Sequence, residues 1–552
     1  MTEFTPEEIS VLEKYVSDPA GDTFVLLDTL TGLKGALYAR YSRAKGSLRQ
    51  TLLKEFLKDG KLNLDHAADL VEKILNAFGD DSVGELEGAH LALERISNLL
   101  TKIVEDCRIG GSPIEQSTRY VFYDQRDAEG RYSYLRPEEI VRAGLLPQYE
   151  KDMDFIFDTY TTAMPKLIEF LKTLKSADKS SYAFKPNDKT KYRLAQLTDE
   201  EDIRKFKTTY TADIRSKACD IDRLLLPAAT LTNVGLFGNG RYFTALITKL
   251  LSGELTEARE RGVAAKHELS KVIPKYVKRG KENPYFKNID RDMQVLPLVS
   301  LLAKKETTFL PTRPDNNPVV DLLVGNDLGL ELSQIAHILY PYCPLSLLSI
   351  YTLLRETCNN EELEKVVRTY CGLDGRKNDN DPTGRRNRMG RSMEGCYPLT
   401  FDFVADFGIY RDLQRHRQLT QQRQLLNPHL GWVMSEEFEA IGMRQQYEEC
   451  IGRSANLFET LKGACGPIVA QYAVLFAFKI RWYMGMNLRE AQHLIELRTT
   501  KQGHPSYRKV CQLMHNELMQ RLPRFAKFIN CDHNTYYWSR AESEARQRAK
   551  ES

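Results

Sequence analysis

The sequence predicts an α+β fold that is repeated along the chain, and three observations support this prediction. Apolar residues recur at helical spacing over much of the 552 residues, with a few strand-like segments between them. Helices and strands do not alternate regularly, as they would in a doubly wound α/β domain. Two similar series of charged motifs lie roughly 270 residues apart, which indicates two tandem copies of one domain.

Local patterns predict individual elements. Apolar residues from Leu93 to Val104 recur at intervals of three and four, which predicts one buried helix. Thr400, Phe401, Asp402 and Phe403 alternate between polar and apolar, which predicts a strand that leads into a helix. Residues 372–391 and 541–552 are predicted to be solvated, with a phosphate-binding loop as the alternative for the first.

The composition is typical of a globular protein and excludes several classes of function. Hydrophobic residues make up 42% and charged residues 28% of the chain. The net charge of +3 argues against bulk binding to nucleic acid or to a membrane surface. No apolar run approaches the ~18 residues of a membrane span, and the polar N-terminus lacks a secretory pattern. We therefore expect a cytoplasmic protein.

The ten cysteines are scattered and form no C-x-x-C motif, so neither a disulfide scaffold nor a zinc cluster is indicated. The nearest candidate for metal binding is Cys531-Asp532-His533, with His515 upstream. A short Cys/His motif without a full set of further ligands is usually coincidence, so the sequence alone predicts no metal site. It predicts that the cysteines are reduced.

The internal duplication is marked by two recurring motifs. A charged motif near residue 106 recurs near residue 415, and each is followed by an Asn-x-Arg triplet that opens a helix. These triplets are Asn239-Gly240-Arg241 and Asn487-Leu488-Arg489. A basic connector separates the two copies, so the predicted repeats are residues 1–285 and 286–552.

Two motifs in the second repeat offer positive charge. Arg415-His416-Arg417 offers three side chains that can donate hydrogen bonds to an anion, and all three can bind one phosphate only from the end of a helix. The alternative is that they form a solvated surface. Asn487 and Arg498 share one helical stripe with apolar residues between them. A buried arginine needs a partner, so Arg498 either meets a ligand or forms a structural salt bridge.

The first repeat carries a matching set of polar residues. A glycine-rich loop precedes Glu115, Ser117 and Arg119, which together offer an acceptor, a neutral donor and a charged donor. Local capping of the loop is the alternative. Arg223 is a further charge, placed directly before an apolar run.

These residues resemble the signature R-H-R-x-x-S-x-N-x-x-S-x-R-Y of the flavin-dependent thymidylate synthases, and both repeats are similar to that family. The first repeat keeps the end of the signature, from Glu115 to Tyr120, and Arg223 with Leu226-Pro227 resembles the family's R-x-x-L-P. Ala39-Arg40-Tyr41-Ser42 is similar to the N-terminal A-R-V-S, and Ser82–Glu85 to an upstream family segment. The family's terminal arginine is replaced by Leu250.

The second repeat departs from the signature in the opposite way. It keeps the front R-H-R and the terminal Leu497-Arg498, whereas the R-x-x-L-P arginine is Gln471. The later signature positions hold Arg423, Leu425 and Asn427. Family sites form between subunits, so the resemblance implies one kind of composite site with pieces from both repeats, and a homodimer that makes a pseudo-tetramer.

The resemblance implies a fold with a central, mainly antiparallel sheet flanked by long helices, and reductive methylation of dUMP to dTMP. It implies FAD as cofactor, methylenetetrahydrofolate and NADPH as co-substrates, and Arg498 as the residue that stabilises charge on the pyrimidine. The residues it assigns to the substrate are Glu115, Gln116, Ser117, Arg119, Arg223, Arg415 and Arg498. Those it assigns to the cofactor are Ser42, Ser82, Glu115, Asn239, Arg241, Arg415, His416, Arg417, Asn487, Arg489 and His493.

Two alternatives stay open: Asp412 motivates the first, and the basic segment 372–391 with the lost signature residues motivates the second. Asp412 stands where the family typically has a glutamine that touches the substrate, and a carboxylate repels phosphate or carbonyl oxygens. One alternative is a related flavoenzyme that acts on another uridine nucleotide. The other is a non-catalytic homologue that binds flavin or nucleotide.

Overall fold

The computed structural model describes residues 4–42, 44–58, 61–62, 81–107, 109–183, 185, 188, 190–283, 287, 310–323, 327–339, 347–371 and 399–538. Both segments predicted to be solvated, and the predicted repeat boundary after residue 285, lie outside these ranges. Among the described residues no helix combines the length and the apolar character that crossing a bilayer requires.

Seven strands and eight helices position the candidate site. The strands are β1 (Gly88–Ser97), β2 (Gly111–Glu115), β3 (Leu231–Asn239), β4 (Val319–Leu323), β5 (Leu399–Asp406), β6 (Thr420–Arg423) and β7 (Lys479–Met486). The helices are α1 (Asn98–Glu105), α2 (Leu146–Leu174), α3 (Glu200–Asp222), α4 (Gly240–Leu251), α5 (Phe407–Leu413), α6 (Arg444–Cys465), α7 (Leu488–Arg498) and α8 (Pro505–Arg521).

Smaller elements complete the described chain. The other helices are Pro6–Leu12, Lys34–Tyr41, Leu48–Thr51, Glu138–Arg142, Thr256–Leu269, Pro274–Val277, Asp327–Leu339, Leu347–Thr357, Asn360–Cys371, Glu437–Ala440, Pro467–Ala470 and Pro523–Ala526. Single helical turns of other types are Asp28–Leu30, Leu52–Phe56, Asp81–Leu86, Leu194–Gln196, Arg223–Leu225 and Gln471–Ala473. Two short antiparallel ribbons pair Leu57–Lys58 with Lys61–Leu62 and Ser181–Tyr182 with Tyr192–Arg193.

The chain folds into two compact units that do not follow the two halves of the sequence. The first unit contains residues 1–116, 134–144 and 229–306. The second unit contains residues 117–133, 145–228 and 307–552. The long helices α2 and α3 therefore come from the first half of the sequence but belong to the second unit, where α2 packs against α3 and α6. The sequence repeats themselves stay a prediction.

Each unit contains an antiparallel sheet, and three strands follow the same order in both sheets. The sheet order is β1-β3-β2 in the first unit and β4-β5-β7-β6 in the second, so β3 and β7 occupy equivalent central positions. Glu115 pairs with Val234 across β2 and β3, and Arg423 pairs with Trp482 across β6 and β7. These pairings make Glu115 equivalent to Arg423, as the sequence comparison predicts. The α+β class with a mainly antiparallel sheet and long helices is confirmed.

Equivalent caps start the helices of the two sheets. Ser97 accepts a hydrogen bond from the backbone N–H of the third residue of α1, and Asp406 does the same for α5. Asn239 caps α4 and Asn487 caps α7 in the same manner. Serine, aspartate and asparagine suit this position because their side-chain oxygens satisfy a backbone donor that the first turn leaves unpaired.

The strand prediction for Thr400–Phe403 is confirmed, whereas the helix predicted from Leu93 is partly wrong. Leu93 and Ile96 are buried residues of β1, and helix α1 begins only at Asn98. The pairing of β1 with β3 shifts between Leu93 and Ile96, and Arg95 has a φ of 52°. This bulge puts two inward-facing strand residues three positions apart, a spacing that imitates a helix.

Candidate functional site

The second unit buries an ion pair between two elements from the first half of the sequence. Arg119 and Asp220, at the end of α3, form a two-pronged ion pair in which Nη2 donates to Oδ2 over 2.5 Å. Burial acts to raise the pKa of Asp220, but the charge of Arg119 holds it well below its ordinary value. This pair fixes the guanidinium plane of Arg119.

A second ion pair joins the two halves of the sequence within the second unit. Both terminal nitrogens of Arg223, directly after α3, donate to Oδ2 of Asp412 in α5 over 3.4 Å. Nε of Arg223 is buried and has no hydrogen-bond partner among the described residues. A buried donor without a partner is unusual in a native protein and is readily explained by a ligand.

Asp412 is the point at which the predicted substrate residues converge. Burial acts to raise the pKa of this carboxyl, but the positive charges nearby hold it well below its ordinary value. The arginines responsible are Arg223, Arg119, Arg415 and Arg498, in decreasing order of effect. The structure thus brings together two arginines from each half of the sequence.

A hydrogen-bonded chain connects Glu490, His416 and Arg498. Nε of Arg498, at the end of α7, donates to Nε2 of His416 over 2.9 Å, and Nδ1 of His416 lies 2.9 Å from Glu490. Because a guanidinium only donates, Nε2 of His416 must be unprotonated and Nδ1 carries the hydrogen. Arg498 is therefore held by a neutral imidazole and also lies over the ring of Tyr507, 5.5 Å from its centre.

The protonation state of this chain follows from its burial. Burial, aided by the charge of Arg498, lowers the pKa of His416 to about 4. Burial acts in the opposite sense on Glu490, but hydrogen bonds from His416 and His493 lower its pKa to about 2. At neutral pH these three groups are thus a carboxylate, a neutral imidazole and a guanidinium. The imidazole lies between the other two, so the carboxylate of Glu490 does not pair directly with the guanidinium of Arg498.

The remaining predicted residues of the second unit surround this chain. Arg415 and Arg417 are exposed on either side of the buried ring of His416. The ring of His493 packs edge-on against that of His416, 5.5 Å away. Asn487 caps helix α7, in which Arg489 is half-buried. Ser117 lies two residues before Arg119 and accepts a hydrogen bond from its backbone N–H over 3.3 Å.

Six predicted residues lie in the first unit, and five of them have local partners. Nζ of Lys102 donates to the buried carboxylate of Glu115 over 3.0 Å, and Gln116 accepts from the side chain of Asn233 over 3.1 Å. Asn239 caps α4, and the exposed Arg241 pairs with Glu85. The exposed Ser42 donates to the carbonyl oxygen of Ala39 over 2.9 Å. The side chain of Ser82 lies outside the described set.

Two cavities accompany these residues. In the second unit a cavity of about 550 Å³ is lined by Asp220, Asp406 and His504, but by none of the predicted site residues. Burial lowers the pKa of His504 to about 3 and raises that of Asp406 to about 6. In the first unit a cavity of about 180 Å³ lies at the start of α4 and includes Arg241.

Sequence reasoning missed the carboxylates that hold the arginines. Asp220 precedes Arg223 by one helical turn, and Glu490 follows the cap Asn487 by three residues, a spacing common at helix starts. Neither pattern shows which arginine the carboxylate meets. The buried Arg411, whose Nη1 donates to Oγ1 of Thr118 over 3.0 Å, was missed as well.

The donor set of the second unit fits the diphosphate of a dinucleotide cofactor. Arg415 and Arg417 are exposed arginines that directly precede and follow His416, which contacts Glu490 in the first turn of α7, and positive charge of this kind matches two linked phosphates. His416, Glu490 and His493 also present ligand atoms within 4.8 Å of one another. The guanidinium of Arg498, hydrogen-bonded to His416, opposes a cation there, so an organic anion suits this group better than a metal ion.

The chain was compared with known protein families and curated proteins. The sequence model of the family described as "thymidylate synthase complementing protein" matches residues 35–275 and 386–524, one segment in each predicted repeat. A UPF0159 protein of Chlamydia pneumoniae is 35% identical over 541 residues, which span 96% of this chain and 94% of the relative. A UPF0159 protein of Thermoplasma acidophilum is 29% identical over 524 residues, 94% of this chain and 99% of the relative.

The chain was also compared with solved structures. One of those found is the UMP/dUMP methylase PolB from Streptomyces cacaoi bound with 5-Br UMP, at 14% identity and a TM-score of 0.28. The alignment covers 39% of this chain and 96% of that one.

Proposed function

This chain belongs to the family of thymidylate synthase complementing proteins, and from this membership we propose that it methylates the uracil ring of dUMP to give dTMP. The observation that carries the proposal is the convergence of Arg119, Arg223, Arg415 and Arg498 on Asp412. These are the arginines that the family resemblance assigns to the substrate, and each half of the sequence retains only part of them.

Arg498 is the proposed catalytic residue. Removing the proton from N3 of the uracil, or drawing electrons toward C5, puts negative charge on the pyrimidine. The guanidinium of Arg498 suits this charge because its partner His416 is a neutral imidazole. The hydrogen bond that Nδ1 of His416 donates to Glu490 keeps His416 in the tautomer that accepts from Arg498, so Glu490 acts as a positioning residue.

The proposed phosphate site consists of Ser117, Arg119 and Arg223. Arg119 uses two of its nitrogens for Asp220, and Nε of Arg223 is buried without a partner among the described residues. The two guanidinium groups are therefore fixed in the free protein and retain donors for a further anion. Preorganised donors of this kind lose little conformational entropy when a ligand binds.

FAD is the proposed cofactor, and Arg415, His416 and Arg417 would hold it together with Asn487, Arg489 and His493. Bound FAD supplies the redox chemistry that converts a one-carbon unit of methylenetetrahydrofolate into a methyl group, with NADPH as the reductant. The exposed Arg415 and Arg417 would bind its phosphates. We retain Ser42, Ser82, Asn239 and Arg241 as cofactor residues, and Glu115 and Gln116 as residues near the ligands. A homodimer of this chain is the proposed assembly.

The test is turnover by the purified full-length chain. With dUMP, methylenetetrahydrofolate, NADPH and FAD we expect dTMP, and Arg498→Ala should lower kcat at least about 100-fold, as removal of a preorganised charge donor does. Arg444→Ala is the matched control, because Arg444 is a helical arginine whose partners Glu439 and Glu448 are surface carboxylates. A wild-type chain that neither retains flavin nor forms dTMP contradicts the proposal.

The position of Asp412 favours a second candidate, a flavoenzyme that acts on another uridine nucleotide. Its carboxylate occupies both terminal nitrogens of Arg223 and competes there with a substrate phosphate. Asp412→Asn should destabilise the free protein by about 3–5 kcal/mol, because Arg223 becomes a buried charge without its counter-ion. dUMP should then raise Tm more in Asp412→Asn than in the wild type.

A panel of ligands separates the two candidates in the same thermal-shift measurement. If dUMP gives a larger shift than UMP, deoxyuridine or uridine, it is the substrate. If UMP gives the largest shift, the second candidate holds. If deoxyuridine and dUMP shift the wild type and Asp412→Asn equally, no phosphate reaches Arg223 and the proposed phosphate site is wrong.

A further inference from the structure

The three potential metal ligands from which the sequence alone predicts no metal site meet at one place in the second unit. His515 lies on α8, and Cys531 and His533 lie in the segment that follows the helix Pro523–Ala526. A nitrogen of each histidine and the sulfur of Cys531 all lie within 4.8 Å of one another. His515 is buried, Cys531 is half-buried and His533 is exposed, so the group is open to solvent on one side.

The two histidines already face each other through the nitrogens that a metal would use. Nε2 of His533 lies 3.1 Å from Nδ1 of His515. The other nitrogen of His515, Nε2, lies 3.1 Å from the carbonyl oxygen of Ala526, which only accepts, so it carries the hydrogen. Nδ1 of His515 therefore directs a lone pair toward His533. A backbone carbonyl that orients a ligating imidazole in this way is typical of metal sites.

The distances suit a tetrahedral zinc ion. Zinc binds imidazole nitrogen at about 2.0–2.1 Å and thiolate at about 2.3 Å, which puts two nitrogens about 3.3 Å apart and nitrogen and sulfur about 3.6 Å apart. The observed separation of 3.1 Å between the two histidine nitrogens is close to the first value. Because the sulfur of Cys531 lies no more than 4.8 Å from the ligand nitrogen of either histidine, a shift of little more than an ångström brings it to the distance that zinc binding requires.

The segment that carries Cys531 and His533 is held in place by its backbone. The N–H of Asn530 donates to Glu496 over 2.9 Å, and the N–H of Asp532 donates to Oγ1 of Thr499 over 3.1 Å. The carbonyl oxygen of Asp532 accepts from the side chain of Gln512 over 2.8 Å. Because Gln512 lies one turn before His515 on α8, this bond ties the loop to the helix that supplies the third ligand. A ligand set held before the metal arrives binds more tightly.

We propose that His515, Cys531 and His533 form a zinc site. Two imidazoles and one thiolate bind Zn²⁺, and the fourth tetrahedral position is left to a water molecule on the exposed side. On binding, the thiol of Cys531 releases its proton to solvent, and His533 moves its hydrogen to Nδ1 so that Nε2 can bind the metal. Neither step changes an oxidation state. Zinc affinity therefore rises with pH.

The proposed zinc site is connected to the cavity of the second unit, because the segment that carries Cys531 and His533 continues into the wall of that cavity. Asn534, Thr535 and Tyr536 follow His533 directly, and all three line the cavity of about 550 Å³. A metal ion bound to Cys531 and His533 would fix this wall to α8. The proposal does not rest on the proposed methylation, because it concerns metal binding by residues outside the arginine group.

The test measures metal binding by the full-length chain after removal of metal with a chelator. Isothermal titration with Zn²⁺ alone should show one ion per chain. With Co²⁺ in place of zinc, a thiolate-to-cobalt charge-transfer band should appear. Cys531→Ser should abolish this band, and His533→Gln should lower zinc affinity at least tenfold, with the fold preserved because His533 is exposed.

Matched controls make the result decisive. Cys358→Ser and His267→Gln replace a half-buried cysteine and an exposed histidine elsewhere in the chain, and both should bind zinc as the wild type does. The proposal is overturned if the stripped chain binds no zinc, or if Cys531→Ser and His533→Gln bind it unchanged. It is also overturned if His493→Gln abolishes binding, because the ion would then lie with His416 and Glu490.

Discussion

His416 combines two roles that its neighbours in the chain, Arg415 and Arg417, do not share. Its ring is buried and both its nitrogens are hydrogen-bonded, one to Glu490 and one to Arg498, whereas the flanking arginines are exposed. The sequence predicts three side chains in a row that donate hydrogen bonds to an anion, yet the histidine uses both of its nitrogens within the protein. The histidine instead determines where the guanidinium of Arg498 points.

The buried state of His416 predicts a pH dependence of stability. Its pKa is about 4 in the folded chain against an ordinary value of 6.5, so below pH 6.5 the unfolded chain binds a proton that the folded chain does not. Stability is therefore unaffected above pH 6.5 and falls as the pH drops toward 4, by about 2 kcal/mol at pH 5 from this residue alone. His416→Gln should remove this share of the loss, as measured by urea unfolding at pH 7 and pH 5.

The exposed His267 provides the control for this experiment. His267→Gln makes the same exchange at an exposed histidine and measures what the substitution itself does to unfolding at the two pH values. If His416→Gln loses as much stability between pH 7 and pH 5 as the wild type does, folding does not lower the pKa of His416. A ring that takes up a proton as readily as a free imidazole is not held neutral beside Arg498, and the proposed role of Arg498 would lack its basis.

Arg498 illustrates what can and cannot be read from residue types. The position of Arg498 on an apolar helical stripe predicts that it meets a partner or a ligand, and it does meet His416. The identity of the partner could not be predicted, because the two residues are 82 positions apart and belong to different elements. Asp220 escaped assignment for the same reason. Asp412 was singled out from the sequence, but its pairing with Arg223 was not predicted, since the sheet and helices of the second unit decide which arginine it contacts.

The equivalent caps Asn239 and Asn487 are the clearest repeated feature among the helices. Each accepts a hydrogen bond from a backbone N–H in the first turn, over 2.8 Å in α4 and 3.0 Å in α7. Replacement by alanine should lower the free energy of unfolding by about 1 kcal/mol in either case. The measurement is urea unfolding of Asn239→Ala and Asn487→Ala side by side.

The same two variants separate a capping role from a binding role. If Asn487 contacts the cofactor, Asn487→Ala should lower the affinity for flavin in a titration. The loss of affinity should exceed that of a control variant which is destabilised to the same extent at another helix cap. Asn98→Ala is unsuitable as a control because Asn98 is buried. Thr5→Ala is better, because Thr5 caps the short helix Pro6–Leu12 with a similar bond. If Asn487→Ala and Thr5→Ala bind flavin alike, Asn487 is a structural cap alone.

Helices and strands were predicted correctly where the spacing of apolar residues stayed regular, and wrongly where a bulge interrupted that spacing. The strand at Leu399–Asp406 alternates without interruption, and the sequence predicts it correctly. The strand at Gly88–Ser97 contains a bulge, and its apolar spacing then resembles that of a helix. The alignment of the two predicted repeats, by contrast, agrees with the strand pairing at Glu115 and Arg423, because both β2 and β6 pair with the strand that leads into a capping asparagine.

At the scale of the molecule, the second unit draws its core from both halves of the sequence. Pro227 forms a β-bridge with Leu475, and Arg453 on α6 pairs with Asp152 on α2 over 3.2 Å. We therefore expect fragments 1–285 and 286–552 to be insoluble when each is produced alone, since each exposes a face that the other normally covers. Produced together they should copurify, as judged by affinity capture of one tagged fragment.

Two outcomes would contradict this expectation. A soluble fragment 286–552 with a cooperative unfolding transition would show that α2 and α3 are dispensable for the second unit. Co-produced fragments that fail to associate, although each is soluble, would show the same. The full-length chain split within the described loop after Gly130 is the positive control, because that cut leaves the contacts of α2, α3 and α6 in place.

The Arg223–Asp412 pair has a consequence for the history of the gene. Since its two members are encoded in opposite halves of one reading frame, loss of either half would strip a buried charge of its counter-ion and remove core helices at the same time. Loss of either half is thus expected to unfold the second unit, and the relatives from Chlamydia and Thermoplasma align with this chain over nearly their full lengths. Folding therefore keeps the two halves of the sequence together, whatever their catalytic use.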